Sequence, residues 1–328
     1  MSPALLSVED LRVRFPTASG GHLVAVDGIS FSVSEGQTLG IVGESGCGKS
    51  VTSLATMGLI PKKTADISGK VIFEGQDLLT IPDHALRDLR GNRVAMIFQE
   101  PMTSLNPSHT IGAQISEAVM RHRDVSASEA RARAIEMLGR VRIPVPEERF
   151  HDYPHKLSGG MRQRAMIAMA LACDPRLIIA DEPTTALDVT IQAQILDLLR
   201  DLREDTGAAV ILITHDLGVV AEVCDEVLVM YAGQVVERAP VDVLFRMPQH
   251  PYTVGLMGSI PRLDTRKEKL AAIRGSVPNM AAPQQGCRFA PRCPFADAKC
   301  RNEVPPLAEA APGQFSRCWK APLEALAA

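Results

Sequence analysis

The 328 residues carry 46% hydrophobic and 22% charged side chains, a globular balance that excludes disorder throughout and fits about two domains of roughly 100–200 residues each. With 35 basic and 38 acidic residues the net charge is −3, so no global positive excess drives binding to nucleic acid. No apolar run reaches about 18 residues, and Met1–Asp10 has neither a basic start nor a continuous apolar stretch, so spanning helices and a secretory leader are not expected and a cytoplasmic location is.

In chain order, Leu11, Val13 and Phe15 alternate with Arg12 and Arg14, and Ile29, Phe31 and Val33 alternate with Ser30, Ser32 and Ser34. This period predicts half-buried strands in an antiparallel sheet. After the Glu35-Gly36 turn, Leu39-Gly40-Ile41-Val42 reads as a short buried strand, followed by a glycine-rich loop and a helix from about Gly48 to Met57. From about Ile111 to Arg142 apolar residues such as Ile115, Val119, Ala130, Ala134 and Leu138 recur at helical spacing, which predicts a helical insert. A strand at Leu177-Ile178-Ile179-Ala180, a helix near Thr190–Glu204 and a strand at Val210-Ile211-Leu212-Ile213 restore the alternation of a parallel sheet covered by helices. Beyond Arg246 proline and glycine become frequent, as at Ile260-Pro261, and the charge changes sign. Residues from His250 onward hold 11 basic and 6 acidic side chains, a net of +5 that leaves −8 for residues 1–249. An accessory domain is expected there.

Gly43-Glu44-Ser45-Gly46-Cys47-Gly48-Lys49-Ser50 fits G-x-x-x-x-G-K-[ST] between a strand and a helix, the context a phosphate loop requires. Its glycines let backbone N–H groups curl toward phosphates, the helix start that runs on to Val51 adds positive potential, Lys49 neutralises β/γ charge and Ser50 can ligate Mg²⁺. The plainer alternative is a glycine-rich turn opening a helix. At the end of the strand 177–180, Asp181 can support Mg²⁺ and Glu182 can polarise a water, where a solvated strand end is the default for an acidic pair alone. Leu157-Ser158-Gly159-Gly160-Met161 opens an apolar helix; Ser158 and the two glycines offer donors for a second anion, or simply a capped helix.

The order of these elements resembles the ATP-binding subunits of ABC transporters over about residues 5–245. Gly43 opens the Walker A loop, Gln99 matches the Q-loop, Leu157 opens the signature, Asp181 belongs to Walker B, Ala186-Leu187-Asp188 to the D-loop and His215 to the H-loop. The resemblance implies a P-loop NTPase core of the ABC ATPase type, α/β with a parallel sheet and an antiparallel β subdomain, a helical insert and a small cysteine-containing C-terminal extension. It places the nucleotide-binding core at 1–98 and 158–246, the insert with the Q-loop and the membrane-subunit contact at 99–157, and the accessory domain at 247–328. It also implies a head-to-tail dimer in which one subunit's Walker A and the other's Ser158-Gly159-Gly160 and Asp188 enclose ATP, which accounts for two phosphate elements in one chain. By the same resemblance Phe15 stacks on adenine, although a strand phenylalanine is as readily core. Gln99 senses Mg²⁺ and water, and His215 is the γ-phosphate switch; Met161 departs from the commoner glutamine without touching the phosphate donors. A soluble ABC ATPase acting on nucleic acid or ribosomes would show two nucleotide domains or a long heptad insert, and neither is present. A module that binds ATP without hydrolysis is opposed by the presence of Lys49, Gln99, Glu182 and His215.

Phe98-Gln99-Glu100-Pro101-Met102-Thr103-Ser104-Leu105-Asn106-Pro107 and His250-Pro251-Tyr252-Thr253 resemble the peptide and nickel importer group of that family. This implies an ATPase that serves a dipeptide or oligopeptide importer from the cytoplasmic face of the membrane. Its partners would be a second ATPase subunit, a paralogue, two transmembrane permease subunits and an extracytoplasmic substrate-binding protein, without nucleic acid; dipeptides, oligopeptides, nickel chelates and glutathione stay open as cargo. Cys287, Cys293, Cys300 and Cys318 are spaced C-x₅-C-x₆-C-x₁₇-C. The C-x₂₋₄-C pairs of structural zinc sites are missing, and the resemblance agrees with a [4Fe–4S] cluster, with zinc or unligated buried thiols as alternatives. Cys47, at a helix start beside Lys49, is either a thiol of lowered pKa or a packing residue.

Overall fold

The computed structural model describes residues 4–18, 20–100, 104–185, 188–259, 273–282 and 285–326. Positions 101–103 of the Gln99 stretch, Ala186 and Leu187 ahead of Asp188, and the Ile260-Pro261 pair therefore lie outside the described residues.

Alternation at the N-terminus produces β1 (Leu6–Pro16) and β2 (His22–Val33), paired antiparallel with Val13 opposite Val26 and Phe15 opposite Leu23. The buried set of β1 skips from Val8 to Leu11 across a bulge where Asp10 takes φ 46°. The extra residue returns Leu11 and Val13 to the core face, which strict alternation would have turned outward. Next come β3 (Thr38–Val42), buried along its whole length, α1 (Lys49–Thr56), β4 (Asp66–Phe73), β5 (Gln76–Asp77) and β6 (Val94–Ile97). The insert supplies α2 (Ile111–His122) and α3 (Ala127–Arg140). Thr110 caps α2 through the Ala113 N–H, and Ser126 and Glu129 cap α3 reciprocally, satisfying donors that a helix start leaves without partners. After these follow α4 (Gly159–Leu171), β7 (Leu177–Asp181), α5 (Val189–Thr206), β8 (Ala209–Thr214), β9 (Glu226–Tyr231), β10 (Gln234–Pro240), α6 (Pro251–Gly258), β11 (Ala308–Ala311) and β12 (Gln314–Ser316).

The chain divides into two units. The first, Met1–Val33, Thr38–Leu79 and Ile213–Ala328, holds an antiparallel sheet ordered β2-β1-β4-β5 and strands ordered β11-β12-β10-β9-β3, in which β9 runs parallel to β3. The C-terminal extension belongs to this unit because β12 adds to the edge of β10, with Glu237 opposite Ser316. The second unit, Ser34–Gln37 and Thr80–Leu212, holds β6 parallel to β7 in the order β8-β7-β6, together with the helical insert. The helical insert and α4 lie in this same unit. Ser116 Oγ donates to the Ala130 carbonyl at 3.4 Å, and Arg164 Nη1 on α4 donates to the Val141 carbonyl at 2.8 Å. Among the described residues no helix is long and apolar enough to cross a membrane.

Candidate functional site

In the first unit, β3 delivers the chain into the phosphate loop and α1 leaves it. Gly43 sits at φ 153°, and a Cβ there would lie 2.2 Å from the Met230 carbonyl oxygen; at Gly48, φ 103°, it would lie 2.4 Å from that of Ala25. Only glycine lets the loop pass this close to β9 and β2. Gly48 precedes α1 and no side chain caps the helix, so its N-terminal dipole points toward the place a phosphate would take. Lys49 is 5% exposed, and its ammonium donates to the carbonyls of Gly43 at 2.8 Å and Glu44 at 3.2 Å. Ser45 and Gly46 are exposed at the tip, while Glu44, Ser50 and Val51 are half-buried. Cys47 is fully buried, and burial pushes its thiol up more strongly than Lys49 lowers it. Of the two readings of Cys47, packing holds. Phe15 is half-buried on β1, and His215, exposed, follows β8 directly.

In the second unit, the end of β7 presents Asp181, buried, and Glu182, which takes the unusual φ 48°. A non-glycine residue there is strained, and strain of this kind concentrates at functional sites. Glu182 Oε2 accepts from Gln99 Nε2 at 3.0 Å and from Thr185 Oγ1 at 2.8 Å. Gln99 and Glu182, expected at the site for separate reasons, are thus in contact although 83 residues separate them. Gln163 Nε2 on α4 donates to the Pro183 carbonyl at 2.6 Å, which ties the signature helix to the turn that carries Glu182.

Ser158 caps α4, its hydroxyl accepting from the Met161 N–H at 3.3 Å. An accepting hydroxyl keeps its own proton to donate. Ser158, Gly159, Gly160, Arg164, Asp188 and Gln194 line a cleft of about 510 Å³, and Asp188 caps α5 by accepting from the Ile191 N–H at 2.9 Å. The helix start, its glycines, the Arg164 guanidinium and the Asp188 carboxylate therefore share one cavity.

All seven cysteines are free thiols. Burial pushes the thiols of Cys287 and Cys293 up, and that of Cys318 to about 11. The backbone joins two of the expected ligands, the Cys287 N–H donating to the Cys300 carbonyl at 2.8 Å. Among the described residues, however, no group of three or more His, Cys, Asp or Glu side chains is arranged to hold a metal ion. The predicted cluster is thus not assembled in ligating geometry; a metal site of this kind forms together with deprotonation of its thiols.

Contacts that no spacing in the sequence encodes reach the phosphate loop from the C-terminal part of the chain. Glu237 is fully buried and accepts from the N–H groups of Gln249 at 2.6 Å and His250 at 2.9 Å. His250 Nδ1 accepts from the Tyr252 N–H at 3.1 Å, and burial lowers this imidazole to about 3. The His250-Pro251-Tyr252-Thr253 stretch thus builds a rigid turn that starts α6 and aims the Tyr252 hydroxyl at the Glu44 N–H, 2.8 Å away. Arg292 pairs with the Glu44 carboxylate, and Arg288 with Asp27 and the Ala232 carbonyl. Arginines in a proline-rich tail give no local cue to such partners.

Residues 26–185 match the family described as ABC transporter, and residues 236–300 match the oligopeptide/dipeptide transporter, C-terminal region. The chain is similar to the probable peptide ABC transporter ATP-binding protein y4tR of Sinorhizobium fredii, with 57% identity over 96% of this chain and 95% of that one. It is 50% identical to the oligopeptide transport ATP-binding protein OppD of Escherichia coli, over 98% of this chain and 95% of OppD. The dipeptide transport ATP-binding protein DppD of Bacillus subtilis is also 50% identical, over 96% and 94%. Among solved structures, the dimeric ATP-binding cassette MJ0796 in a post-hydrolysis state bound to ADP and Pi shares the fold at a TM-score of 0.65. That match has 26% identity and covers 72% of this chain and 98% of that one.

Proposed function

Because this chain belongs to the ABC transporter family of ATP-binding proteins, we propose that it is the ATP-hydrolysing motor of a dipeptide or oligopeptide importer. The observation that carries the cargo class is the C-terminal match over residues 236–300, beyond the cassette itself. In this reading the chain sits at the cytoplasmic face of the membrane with a second ATPase subunit, a paralogue, two permease subunits and an extracytoplasmic binding protein. The groove of about 680 Å³ lined by Asn106, Gln114, Glu117, Met120, Arg121 and Met169 supports the helical insert as the permease contact, since it lies on the element that follows Gln99. The reconstituted transporter should raise its ATPase rate when the binding protein carries dipeptides or oligopeptides. Stimulation by nickel chelates or glutathione alone would overturn the cargo class.

Each site residue then has a separate task. Lys49 and the loop N–H groups of Gly43–Val51 hold the phosphates, Phe15 stacks on adenine, and Ser50, Asp181 and Gln99 serve Mg²⁺. Glu182 orients the attacking water, His215 contacts the γ-phosphate, and Ser158, Gly159, Gly160 and Asp188 act on the ATP held by the facing subunit. Because Ser158–Gly160 serve the other subunit's nucleotide, the dilute chain alone should hydrolyse ATP at least about 100-fold more slowly than the assembled transporter, the loss expected when oxyanion donors are removed. A turnover per chain that is high and independent of concentration would contradict the facing arrangement.

Cys287, Cys293, Cys300 and Cys318 are proposed to hold an iron–sulfur cluster when the protein is loaded. Four free cysteines in the C-terminal extension, with no disulfide among them, are the donor set on which this reading rests, and a cluster would staple a short proline-rich extension with little core of its own. Anaerobically purified protein should be brown, with iron and sulfide in stoichiometric amounts, whereas zinc leaves it colourless. Cys293→Ser should bleach it and weaken assembly while nucleotide binding survives. Colourless, metal-free protein that assembles normally would refute both the cluster and its structural role.

A further inference from the structure

Glu44 is the first variable residue of the phosphate loop, and it is held at every polar group. Its N–H donates to Tyr252 Oη at 2.8 Å, and its carbonyl accepts from Lys49 Nζ at 3.2 Å and from the Cys47 N–H at 3.3 Å. Its carboxylate meets Arg292 in a two-pronged pair, Nη1 to Oε2 at 2.6 Å and Nη2 to Oε1 at 2.9 Å. Such a fork fixes orientation as well as charge.

Arg292 is itself immobilised. Its side chain is 4% exposed, Nε donates to the Arg274 carbonyl at 2.9 Å, Nη2 to that of Ile273 at 3.3 Å, and Nη1 to Tyr231 Oη at 3.4 Å. Its guanidinium carbon lies 5.6 Å from the Tyr231 ring centroid and 6.0 Å from that of Phe289. A buried guanidinium is held by a counter-charge and by partners for its donors. Here the counter-charge is a residue of the phosphate loop 248 positions away. Tyr231 ends β9, and the Gly233 N–H beyond it donates to the Cys47 carbonyl at 2.9 Å. The loop is therefore gripped near both ends of its curl.

We propose that Arg292 is a positioning residue for nucleotide binding: by fixing Glu44 it holds the phosphate loop in its receiving curl, so that the C-terminal extension sets nucleotide affinity. Preorganisation lowers the ordering cost of binding. The inference rests on residues 43–51 being the nucleotide site. Arg292 touches no reacting atom, so it acts on affinity and leaves chemistry alone.

The test uses the full-length chain, with Kd measured for a fluorescent ATP analogue and Mg²⁺, and the assembled transporter for KM and kcat. Arg292→Ala should raise Kd and KM by about tenfold, within the range of residues that couple to a site indirectly, with kcat within a factor of about two. Glu44→Gln keeps Arg292 and its carbonyl bonds in place and should give the same loss. The double variant should be no weaker than either single change, because both remove one interaction, and Arg292→Lys, which keeps charge without the fork, should fall between. Additive losses in the double variant would overturn the proposal. So would unchanged affinity in both single variants while Lys49→Ala weakens binding. If Lys49→Ala also binds normally, the assignment of the nucleotide site itself fails.

Discussion

Glu182→Gln is expected to leave ATP bound and lower steady turnover of the assembled transporter by about 10²–10⁴-fold, the usual share of a positioned general base. The substitution keeps the size of the side chain and removes the negative charge that draws a water's proton. The carboxylate is fixed from two sides, by Gln99 Nε2 at 3.0 Å and Thr185 Oγ1 at 2.8 Å. The backbone beneath it sits at φ 48°, so its direction is set by the turn rather than by a free rotamer. A glutamine in that place can still receive one of these donors, which is why the fold and ATP binding should persist and an ATP-loaded, closed dimer should accumulate. Radiolabelled ATP retained on the membrane-reconstituted transporter would show this directly. Turnover within a factor of about three of the original would mean that Glu182 is not supplying general-base catalysis.

The elements around this site were legible because their signals are local. An apolar strand followed by G-x-x-x-x-G-K-[ST] and a helix needs only about fifteen neighbouring residues to be recognised, and β3, the loop and α1 stand where that order places them. The β1 alternation is visible in the sequence from Leu11 onward, but the bulge at Asp10 leaves no mark in a hydrophobic pattern, since it is set by pairing with β2 and β4. Cys47 shows a local rule overridden: a helix start and a nearby lysine lower a thiol in water, yet a fully buried sulfur follows its desolvation. The least legible feature is the grip on Glu44. Tyr252 and Arg292 reach it from 208 and 248 residues away, and no periodicity or spacing encodes a contact of that separation. The resemblance of His250-Pro251-Tyr252-Thr253 to an importer group marked the stretch as characteristic. The buried Glu237 turn that aims Tyr252 gives it a physical purpose.

Lys49→Ala should fail one step earlier than Glu182→Gln. Lys49 is a buried cation whose ammonium is held by the Gly43 and Glu44 carbonyls, at 2.8 and 3.2 Å. Incoming β/γ-phosphates would supply the negative charge that these carbonyls only partly replace. Alanine removes the charge-assisted contacts to phosphate, each worth about 1.5–3 kcal/mol, and nucleotide affinity should fall by about 100-fold. It also removes the tie between Lys49 and the start of the loop. The two variants separate binding from chemistry when combined: the Lys49→Ala, Glu182→Gln double variant should trap no ATP at concentrations that saturate Glu182→Gln alone. Trapping by the double variant at undiminished affinity would show that the ammonium is not the phosphate counter-charge, and the loop would then bind through its backbone N–H groups and helix dipole alone.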